Sequence, residues 1–265
     1  MAPVASVKFG KFELRVIAAK NGYKGAVIAD GKSSPPIEGT DVEDVLSRLR
    51  GEASRMSKSF FGFSGAIQRF TSLFPEGFSD PEFLRRERQY KLAAAKRVNA
   101  SMPLESALSG DVETSSLPNL ATNMLSRSEA ISWSSILKSG QAARFVQGAA
   151  FLATGDIQRG LTQMEQAARK ADRPSWPLLT YLPYMWRPAE HMFLKPVVTR
   201  DFAERVGHAF AAEYTPEFSE LVYLSLLDLA QKTRAEIVEL EPRDNIDIQS
   251  FIWTVGEYPE TLENI

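Results

Sequence analysis

The sequence has no cysteine and only two histidines in 265 residues. The absence of cysteine excludes disulfides, thiolate metal sites and a cysteine nucleophile, and it is compatible with a reducing compartment. With so few histidines, a zinc site would have little choice of nitrogen ligands. We therefore expect no metal ion and no bound cofactor.

Long apolar runs and common catalytic motifs are also missing. No stretch of about 18 apolar residues occurs, and the segment MAPVASVKFGKFELRV lacks a basic region followed by an apolar run of signal-peptide length. We therefore expect a cytoplasmic protein that does not span a membrane.

The sequence motifs of nucleotide-binding proteins, acyl-transfer enzymes and zinc proteases are absent, which lowers the expectation of an enzyme without deciding the question.

Charge is distributed unevenly along the chain. Residues 1–200 carry 27 Lys and Arg against 19 Asp and Glu, whereas residues 201–265 carry 4 against 14. This asymmetry has three functional interpretations: a basic face for nucleic acid, an acidic part that shields it, or an electrostatic contact between the two parts. Solvated helix faces that happen to differ in charge would give the same pattern.

The N-terminal residues predict a β-hairpin followed by a helix. Apolar and polar side chains alternate in two runs within residues 7–30, and Asn21-Gly22 between them is a strong hairpin signal. Thr40 can cap the following helix, with Glu43 at the position that completes a capping box. The apolar stripe of this helix, which would cover one face of the hairpin, consists of Val42, Val45, Leu46, Leu49, Ala53 and Met56.

The order of these elements, and the segment Gly39-Thr40-Asp41-Val42-Glu43-Asp44-Val45 at the start of the helix, resemble the small antitoxin domains of the HicB type. In those domains an antiparallel sheet is followed by a helix that begins with a similar turn. The resemblance covers the N-terminal module alone, and it implies a sheet-plus-helix fold there.

Phenylalanine is concentrated in residues 59–78, SFFGFSGAIQRFTSLFPEGF, which hold six phenylalanines, three glycines and one proline. We interpret this stretch as a connector whose aromatic side chains pack into the core. Binding of single-stranded nucleic acid is the less favoured interpretation, because the aromatic cluster lacks the positive groove that such binding needs.

The most basic predicted element is a helix that begins at Ser79-Asp80-Pro81 and ends near Ala100, before Pro103. A phosphate backbone could lie along its cations. These cations spread over much of the helix circumference, however, as they also do on an ordinary solvated helix. The nucleic-acid-binding candidates are Arg85, Arg86, Arg88, Lys91, Lys96 and Arg97.

Helices are predicted again over residues 129–171, with breaks at Gly140 and Gly155. The stretch ARFVQGAAFLATGDIQRGLTQMEQAARKADRP resembles one tetratricopeptide-type helical hairpin, in which Gly148 and Gly160 would let two helices approach closely. A second unit at a period of roughly 34 residues is absent, which favours an ordinary helical hairpin.

Aromatic side chains and prolines are combined in the region after residue 175, where we expect short helical turns and extended pieces. Aromatic residues and methionine near an arginine are the usual composition of a binding hot spot, and they serve equally well as a domain core. The partner-binding candidates are Trp176, Tyr181, Tyr184, Trp186 and His191.

The phrases from Trp176 through HMFLKP to IDIQSFIW resemble a C-terminal region of uncharacterised bacterial proteins, some of them encoded near DNA restriction or defence genes. The resemblance implies DNA-related biology, and no catalytic assignment comes with it.

Two constellations are candidates for hydrolytic chemistry. Asp30 and Lys32 follow an apolar strand in the way that a carboxylate and a lysine do in many metal-dependent nucleases, although a polar strand end is the favoured interpretation. His191 could act as a general base near a metal held by Asp244 and Asp247. Nothing in the sequence places these groups together, so we favour a structurally hydrogen-bonded histidine.

These observations predict an α+β fold with a ββ(β)α module over residues 1–58, a Phe-rich connector over 59–78 and a mainly helical domain over 79–265. We expect a non-enzymatic interaction or accessory protein of a bacterial nucleic-acid-related system. Its expected partner is a protein, with DNA as a further candidate. A metal-dependent hydrolase or nuclease and a DNA-binding transcriptional regulator are the alternatives.

Overall fold

The computed structural model describes residues 3–9, 12–29, 31–55, 62–112 and 117–259. An antiparallel sheet is followed by a mainly helical chain, which confirms the predicted α+β class. The chain divides into two compact units, which we call unit 1 (residues 1–80 and 253–265) and unit 2 (residues 81–252). The boundary near residue 80 lies close to the predicted start of the helical domain, but the return of the chain to unit 1 was not predicted.

Unit 1 begins with a five-stranded antiparallel sheet. Its strands are β1 (Ala5–Phe9), β2 (Phe12–Ala19), β3 (Gly22–Ala29), β4 (Lys32–Ser33) and β5 (Ile37–Gly39). The hairpin of β2 and β3 is confirmed, and the pairing of Ala19 with Gly22 places its turn at Lys20 and Asn21. β1 pairs with the outer side of β2, and the short strands β4 and β5 both pair with β3.

Glycine is required where the hairpin approaches β5. Gly22 has a φ of +139°, and a Cβ added there would lie 2.4 Å from the carbonyl oxygen of Gly39. A side chain at this position would therefore push β5 away from the start of β3.

Helix α1 (Val42–Arg55) packs on one face of the sheet, as predicted. Asp41 caps it in place of Thr40, because the Oδ1 atom of Asp41 accepts the backbone N–H of Glu43 at 2.9 Å. Met56, which was predicted to extend the apolar stripe, lies outside the described residues. The buried core of sheet and helix consists of Phe12, Leu14, Val16, Val27, Val45, Leu46, Leu49 and Ala53.

The predicted Phe-rich connector is largely helical. It contains α2 (Gly62–Leu73) and a short 3₁₀ turn (Gly77–Ser79), whereas Phe60 and Phe61 lie outside the described residues. The expected packing of its aromatic side chains is observed, with neighbouring ring centroids 4.9 and 5.4 Å apart. The buried rings are those of Phe70, Phe74 and Phe78.

The end of the described chain completes the core of unit 1. Arg69 of α2 is fully buried, and its Nη2 atom donates to the carbonyl oxygens of Tyr258 at 2.7 Å and Pro259 at 3.2 Å. The ring of Tyr258 lies 5.9 Å from that of Phe74. Residues separated by 189 positions in the sequence therefore share one core.

Unit 2 is built from helices, and its first segment is continuous from Pro81 to Ser101, which confirms the helix predicted there. This segment comprises α3 (Pro81–Phe83), a π-helical turn (Leu84–Arg88) and α4 (Gln89–Ser101). The helices that follow are α5 (Leu104–Ser109), α6 (Arg127–Lys138), α7 (Ala142–Ala153), α8 (Ile157–Ala171), α9 (Trp176–Trp186), α10 (Pro196–Val206), α11 (Phe210–Glu213), α12 (Glu220–Glu236) and α13 (Asn245–Glu257), with 3₁₀ turns at Leu117–Leu120 and Val238–Leu240. The last five residues of α13, 253–257, belong to unit 1.

Helix α9 replaces the short turns and extended pieces that its prolines predict. Pro177 lies in the first turn, where proline is tolerated, but Pro183 lies inside the helix. All eleven residues of α9 are buried. Burial of the whole helix surface therefore outweighs the backbone hydrogen bond that Pro183 cannot donate.

Helices α7 and α8 form the predicted hairpin, with breaks at the expected glycines. Gly148 and Gly160 face each other where the helices cross, and a Cβ added at Gly160 would lie 2.7 Å from the carbonyl oxygen of Gly148. The close approach expected from the sequence is thus observed.

Candidate functional site

The basic segment Pro81–Ser101 exposes only part of its charge. Arg85 and Arg86 lie 2.6 and 2.8 Å from the Oε2 atom of Glu82, and their hydrogen bonds lower the pKa of Glu82 to about 2. Lys96 and Arg97 are exposed on α4, and neither has an ion pair within the described part of the chain. We call Arg85, Arg86, Lys96 and Arg97 the outer cations.

Arg88 points into unit 2 and pairs with two carboxylates at the start of α13. Its Nη1 atom donates to Asp244 and to Asp247, each at 2.8 Å, and its Nη2 atom donates to Asp244 at 2.7 Å. Burial opposes the charge of Arg88, but the hydrogen bonds and charges of Asp244 and Asp247 raise its pKa above the usual value. Asp247 is fully buried and is also bound by Arg243 at 2.8 Å.

Lys91 lies one turn after Arg88 and is only 1% exposed. Its ammonium group donates to Glu87 at 2.6 Å, Gln249 at 2.7 Å and Ser250 at 2.7 Å, which uses all three of its donors. Burial lowers the pKa of Lys91, and the charge of Glu87 opposes this change. We call Glu87, Arg88, Lys91, Asp244 and Asp247 the inner charge cluster.

The inner charge cluster removes Arg88 and Lys91 from the nucleic-acid-binding candidates. Both cations are buried and bound by carboxylates of the same unit, so a phosphate cannot reach them. The cluster also bears on the charge asymmetry of the sequence, since Asp244 and Asp247 from the acidic part pair with Arg88 from the basic segment. Of the three functional interpretations, an electrostatic contact between the two parts is the one observed at these residues.

The five partner-binding candidates are core residues, with exposures between 0 and 7%. The Nε1 atoms of Trp176 and Trp186 donate to backbone carbonyls at 3.1 and 2.9 Å, and the hydroxyl of Tyr181 donates to another at 2.9 Å. These side chains therefore bind their own unit, and a partner cannot reach them. The domain-core role that the same composition allowed is the one observed for Trp176, Tyr181, Tyr184, Trp186 and His191.

The hydroxyl of Tyr184 is buried and has no hydrogen-bond partner among the described residues, unlike that of Tyr181. Burial raises its pKa well above the usual value, and the charges of Asp244, Glu87 and Asp247 add to the effect. Tyr184 thus stays neutral beside the inner charge cluster.

The structure describes only part of the two candidate hydrolase constellations. Asp30 lies outside the described residues, and His191 is buried with Nδ1 2.8 Å from the Tyr223 hydroxyl and Nε2 3.1 Å from the carbonyl oxygen of Ala153. Burial lowers the pKa of His191. Within the described ranges no group of three or more His, Asp or Glu side chains could hold a metal ion. His191 is therefore the structurally bonded histidine that we favoured.

A surface depression lined by polar and charged residues lies on the α7–α8 hairpin, with a volume of about 410 Å³. Arg144 of α7 forms one wall, and Asp156 precedes α8. The residues of α8 that line it are Gln158, Arg159, Thr162, Gln163 and Gln166. This surface was missed at first, although the spacing of Arg159, Gln163 and Gln166 places three polar side chains on one side of a helix.

Comparisons with known proteins found no relative of this chain. A scan against protein-family models, a search of curated proteins and a search of solved structures each returned no match. In the part of the chain that the structure describes, no helix is long and apolar enough to cross a membrane. Side-chain geometry is therefore the basis on which a function can be assigned.

Proposed function

We propose that this chain is a non-enzymatic accessory protein of a bacterial nucleic-acid-related system, in which the outer cations contact a phosphate backbone. The observation that carries the proposal is the joint exposure of Lys96 and Arg97 on α4. Arg85 and Arg86, earlier in the same segment, also contact the carboxylate of Glu82. Lys96 and Arg97 place two adjacent positive charges on the exposed side of α4.

The spacing of the outer cations suits a nucleic-acid strand. At a rise of about 1.5 Å per residue, Arg85 and Lys96 are roughly 16 Å apart along the helix axis. One strand of B-DNA advances about 3.4 Å along its axis per phosphate, so this distance corresponds to roughly five phosphates. A row of this length can neutralise several phosphates and release their counterions.

The side chains that a hydrolase would use support a non-enzymatic role. His191 binds Tyr223 and a backbone carbonyl, and Asp244 and Asp247 bind arginines. Freeing any of them for catalysis would break contacts that hold unit 2 together. A binding role for the exposed surface needs no such rearrangement.

The resemblance of the C-terminal region to bacterial proteins encoded near DNA restriction or defence genes points in the same direction. Bacterial DNA lies in the cytoplasm, and we place the protein there for that reason. A protein partner belongs to the same proposal, because an accessory protein that binds phosphates without reading bases needs another component to supply specificity.

The proposal is tested by measuring the affinity for a labelled DNA duplex at about 50 and 200 mM salt. If about four phosphates are neutralised, affinity should fall roughly a hundredfold over this range. Reversing two outer cations in Lys96→Glu/Arg97→Glu should weaken binding at the lower salt concentration at least about tenfold and should flatten the salt dependence.

The matched control is Lys170→Glu/Arg173→Glu, which makes the same change of charge at two other exposed positions of unit 2. It should change affinity less than about threefold, since only the long-range field is altered. An equal loss of DNA affinity in both variants would mean that only the net charge of the protein matters, and it would contradict the proposal. Unchanged DNA affinity in the Lys96→Glu/Arg97→Glu variant would also refute it. Cleavage of the duplex with Mg²⁺ present would instead support the hydrolase alternative.

A further inference from the structure

The depression on the α7–α8 hairpin holds two arginines whose positions are set by neighbouring side chains. The guanidinium carbon of Arg159 lies 3.6 Å from the centre of the Phe151 ring. The Nη2 atom of Arg144 donates to the Oε1 atom of Gln166 at 2.7 Å. Both guanidinium groups are therefore held at the surface before any ligand arrives, which lowers the entropy cost of binding.

Arg159 forms only a loose ion pair, and Arg144 has no carboxylate partner among the described residues. The Nη1 atom of Arg159 is 3.7 Å from the Oδ2 atom of Asp156, which is longer than a hydrogen bond, and the Arg159 side chain is 59% exposed. Arg144 donates its hydrogen bond to the side-chain amide of Gln166, which is uncharged. A guanidinium that stacks on a ring keeps its edges available, and those edges match the two oxygens of a carboxylate.

The glutamines add groups suited to a peptide backbone. The Nε2 atom of Gln163 donates to the carbonyl oxygen of Arg144 at 2.9 Å and to the Oε1 atom of Gln147 at 3.1 Å. Both N–H bonds of this amide are thus used, and its oxygen is left as an acceptor on the lining of the depression. An amide oxygen of this kind can accept a backbone N–H.

The charge of the depression favours a peptide over a nucleic acid. Two arginines against Asp156 give its lining a net charge of +1, and the remaining lining residues are uncharged. A strand of phosphates would meet the Asp156 carboxylate as well as the arginines, whereas a peptide can place carboxylates at the arginines and neutral groups elsewhere. The volume of about 410 Å³ falls within the size of ordinary ligand sites, which is roughly 300–1,000 Å³.

We propose that the depression between α7 and α8 binds an acidic peptide segment of a protein partner, with Arg144 and Arg159 each binding a carboxylate. This site lies on different helices from the outer cations. It provides the protein-partner surface that the buried aromatic residues cannot provide.

The test uses two labelled decapeptides, one with alternating Glu and Ser and one with Gln in place of each Glu, and measures binding by fluorescence anisotropy. The Glu peptide should bind at least about tenfold more tightly than the Gln peptide, as expected for two charge-assisted contacts at a solvated site. Arg144→Ala/Arg159→Ala should remove this difference while leaving the thermal midpoint nearly unchanged, because both side chains lie at the surface.

The matched control is Arg169→Ala/Lys170→Ala, which removes two exposed cations of α8 that lie outside the depression. It should keep the affinity for the Glu peptide within about twofold of the wild type. Equal binding of the two peptides, or full binding by the Arg144→Ala/Arg159→Ala variant, would overturn the proposal. Displacement of the Glu peptide by the DNA duplex would also count against it. The Lys96→Glu/Arg97→Glu variant should retain peptide binding, so a failure of the DNA proposal can be told apart from a failure of this one.

Discussion

The inner charge cluster places two cations and three carboxylates inside unit 2. Removing such charges from water costs several kcal/mol per ion, and their attraction offsets this cost only with good geometry and further hydrogen bonds. Lys91 meets this condition because Glu87, Gln249 and Ser250 occupy all three of its donors. A cluster of this kind need not add net stability, but its ion pairs and hydrogen bonds link α13 to the π-helical turn and to α4.

Asp244 makes the stability of this packing sensitive to acid. Burial alone would raise its pKa, but the hydrogen bonds and charge of Arg88 outweigh burial and lower the pKa below the ordinary value of 3.8. As pH falls, the unfolded chain therefore takes up the proton before the folded one does, and stability is lost. Asp244→Asn keeps the acceptor oxygen that caps α13 but removes this titration, and it should cost about 1–3 kcal/mol at pH 7.

Urea denaturation of the wild type and Asp244→Asn checks this between about pH 7 and pH 3. The difference in unfolding free energy should be largest above about pH 5 and should shrink as pH falls through the lowered pKa of Asp244. Asp201→Asn, at a partly exposed i,i+4 pair with Arg205 on α10, is the control and should cost about 0.5 kcal/mol or less. A difference that is constant with pH would mean that Asp244 acts through its shape alone.

The sequence alone could have identified one half of the inner charge cluster. Glu87, Arg88 and Lys91 continue the stripe that Ala94 and Val98 form on the buried side of the segment, so charged residues in register with apolar ones were a visible signal. Their partners were not predictable, because a separation of 156 residues between Arg88 and Asp244 leaves no local pattern. Once Arg88 and Lys91 are recognised as buried, the outer cations are the candidates that remain from the original six.

At the scale of elements, the helices with a polar face and clear caps were predictable, and those without were not. The segment Pro81–Ser101 and the α7–α8 hairpin have apolar stripes, capping signals or glycine breaks, and their bounds agree closely with expectation. Helix α9 has no polar face, so its periodicity is hidden and its prolines dominate the pattern. Helix α2 did carry a signal, since Phe63, Ala66 and Phe70 recur at helical spacing, but its glycines and phenylalanines favoured a connector.

The crossing of α7 and α8 depends on the missing side chain of Gly160. A Cβ there would lie 2.6 Å from the backbone nitrogen of Leu152, so Gly160→Ala must separate the two helices. We expect a net loss of about 1–3 kcal/mol from overpacking, even though alanine is the better helix former. Urea denaturation measures the loss, with Gly140→Ala as the control because a Cβ at Gly140 meets nothing within 4 Å.

The control should stay within about 0.5 kcal/mol of the wild type. Because Arg144 belongs to α7 and Arg159 to α8, Gly160→Ala should also weaken binding of the Glu peptide. If Gly160→Ala were as stable as the wild type, the helices would have room that the structure does not show.

At the scale of the whole molecule, the fold class and the boundary near residue 80 were predictable, because a hairpin with a capped helix precedes a chain rich in helical patterns. The division of the chain into two units was only partly predictable from the sequence. Residues 253–265 belong to unit 1, and this depends on contacts of Arg69 and Phe74 with residues near 258. Such pairing between distant segments leaves no periodicity to detect, and the return of the chain could not have been inferred.

This return leads to a prediction about truncation. A chain that ends at residue 252 loses Tyr258, whose burial contributes about 2–3 kcal/mol. It also removes the two hydrogen bonds of Arg69 to the carbonyl oxygens of Tyr258 and Pro259, each of which contributes about 1.5–3 kcal/mol as a bond to a charged group. These losses approach the total stability of an ordinary domain, about 5–15 kcal/mol, so α2 should open locally.

Hydrogen exchange over residues 62–79 should accelerate at least about tenfold. A chain that ends at Pro259 keeps both oxygens and should exchange like the full sequence. Unchanged exchange in the shorter chain would show that residues 253–259 do not complete the core of unit 1.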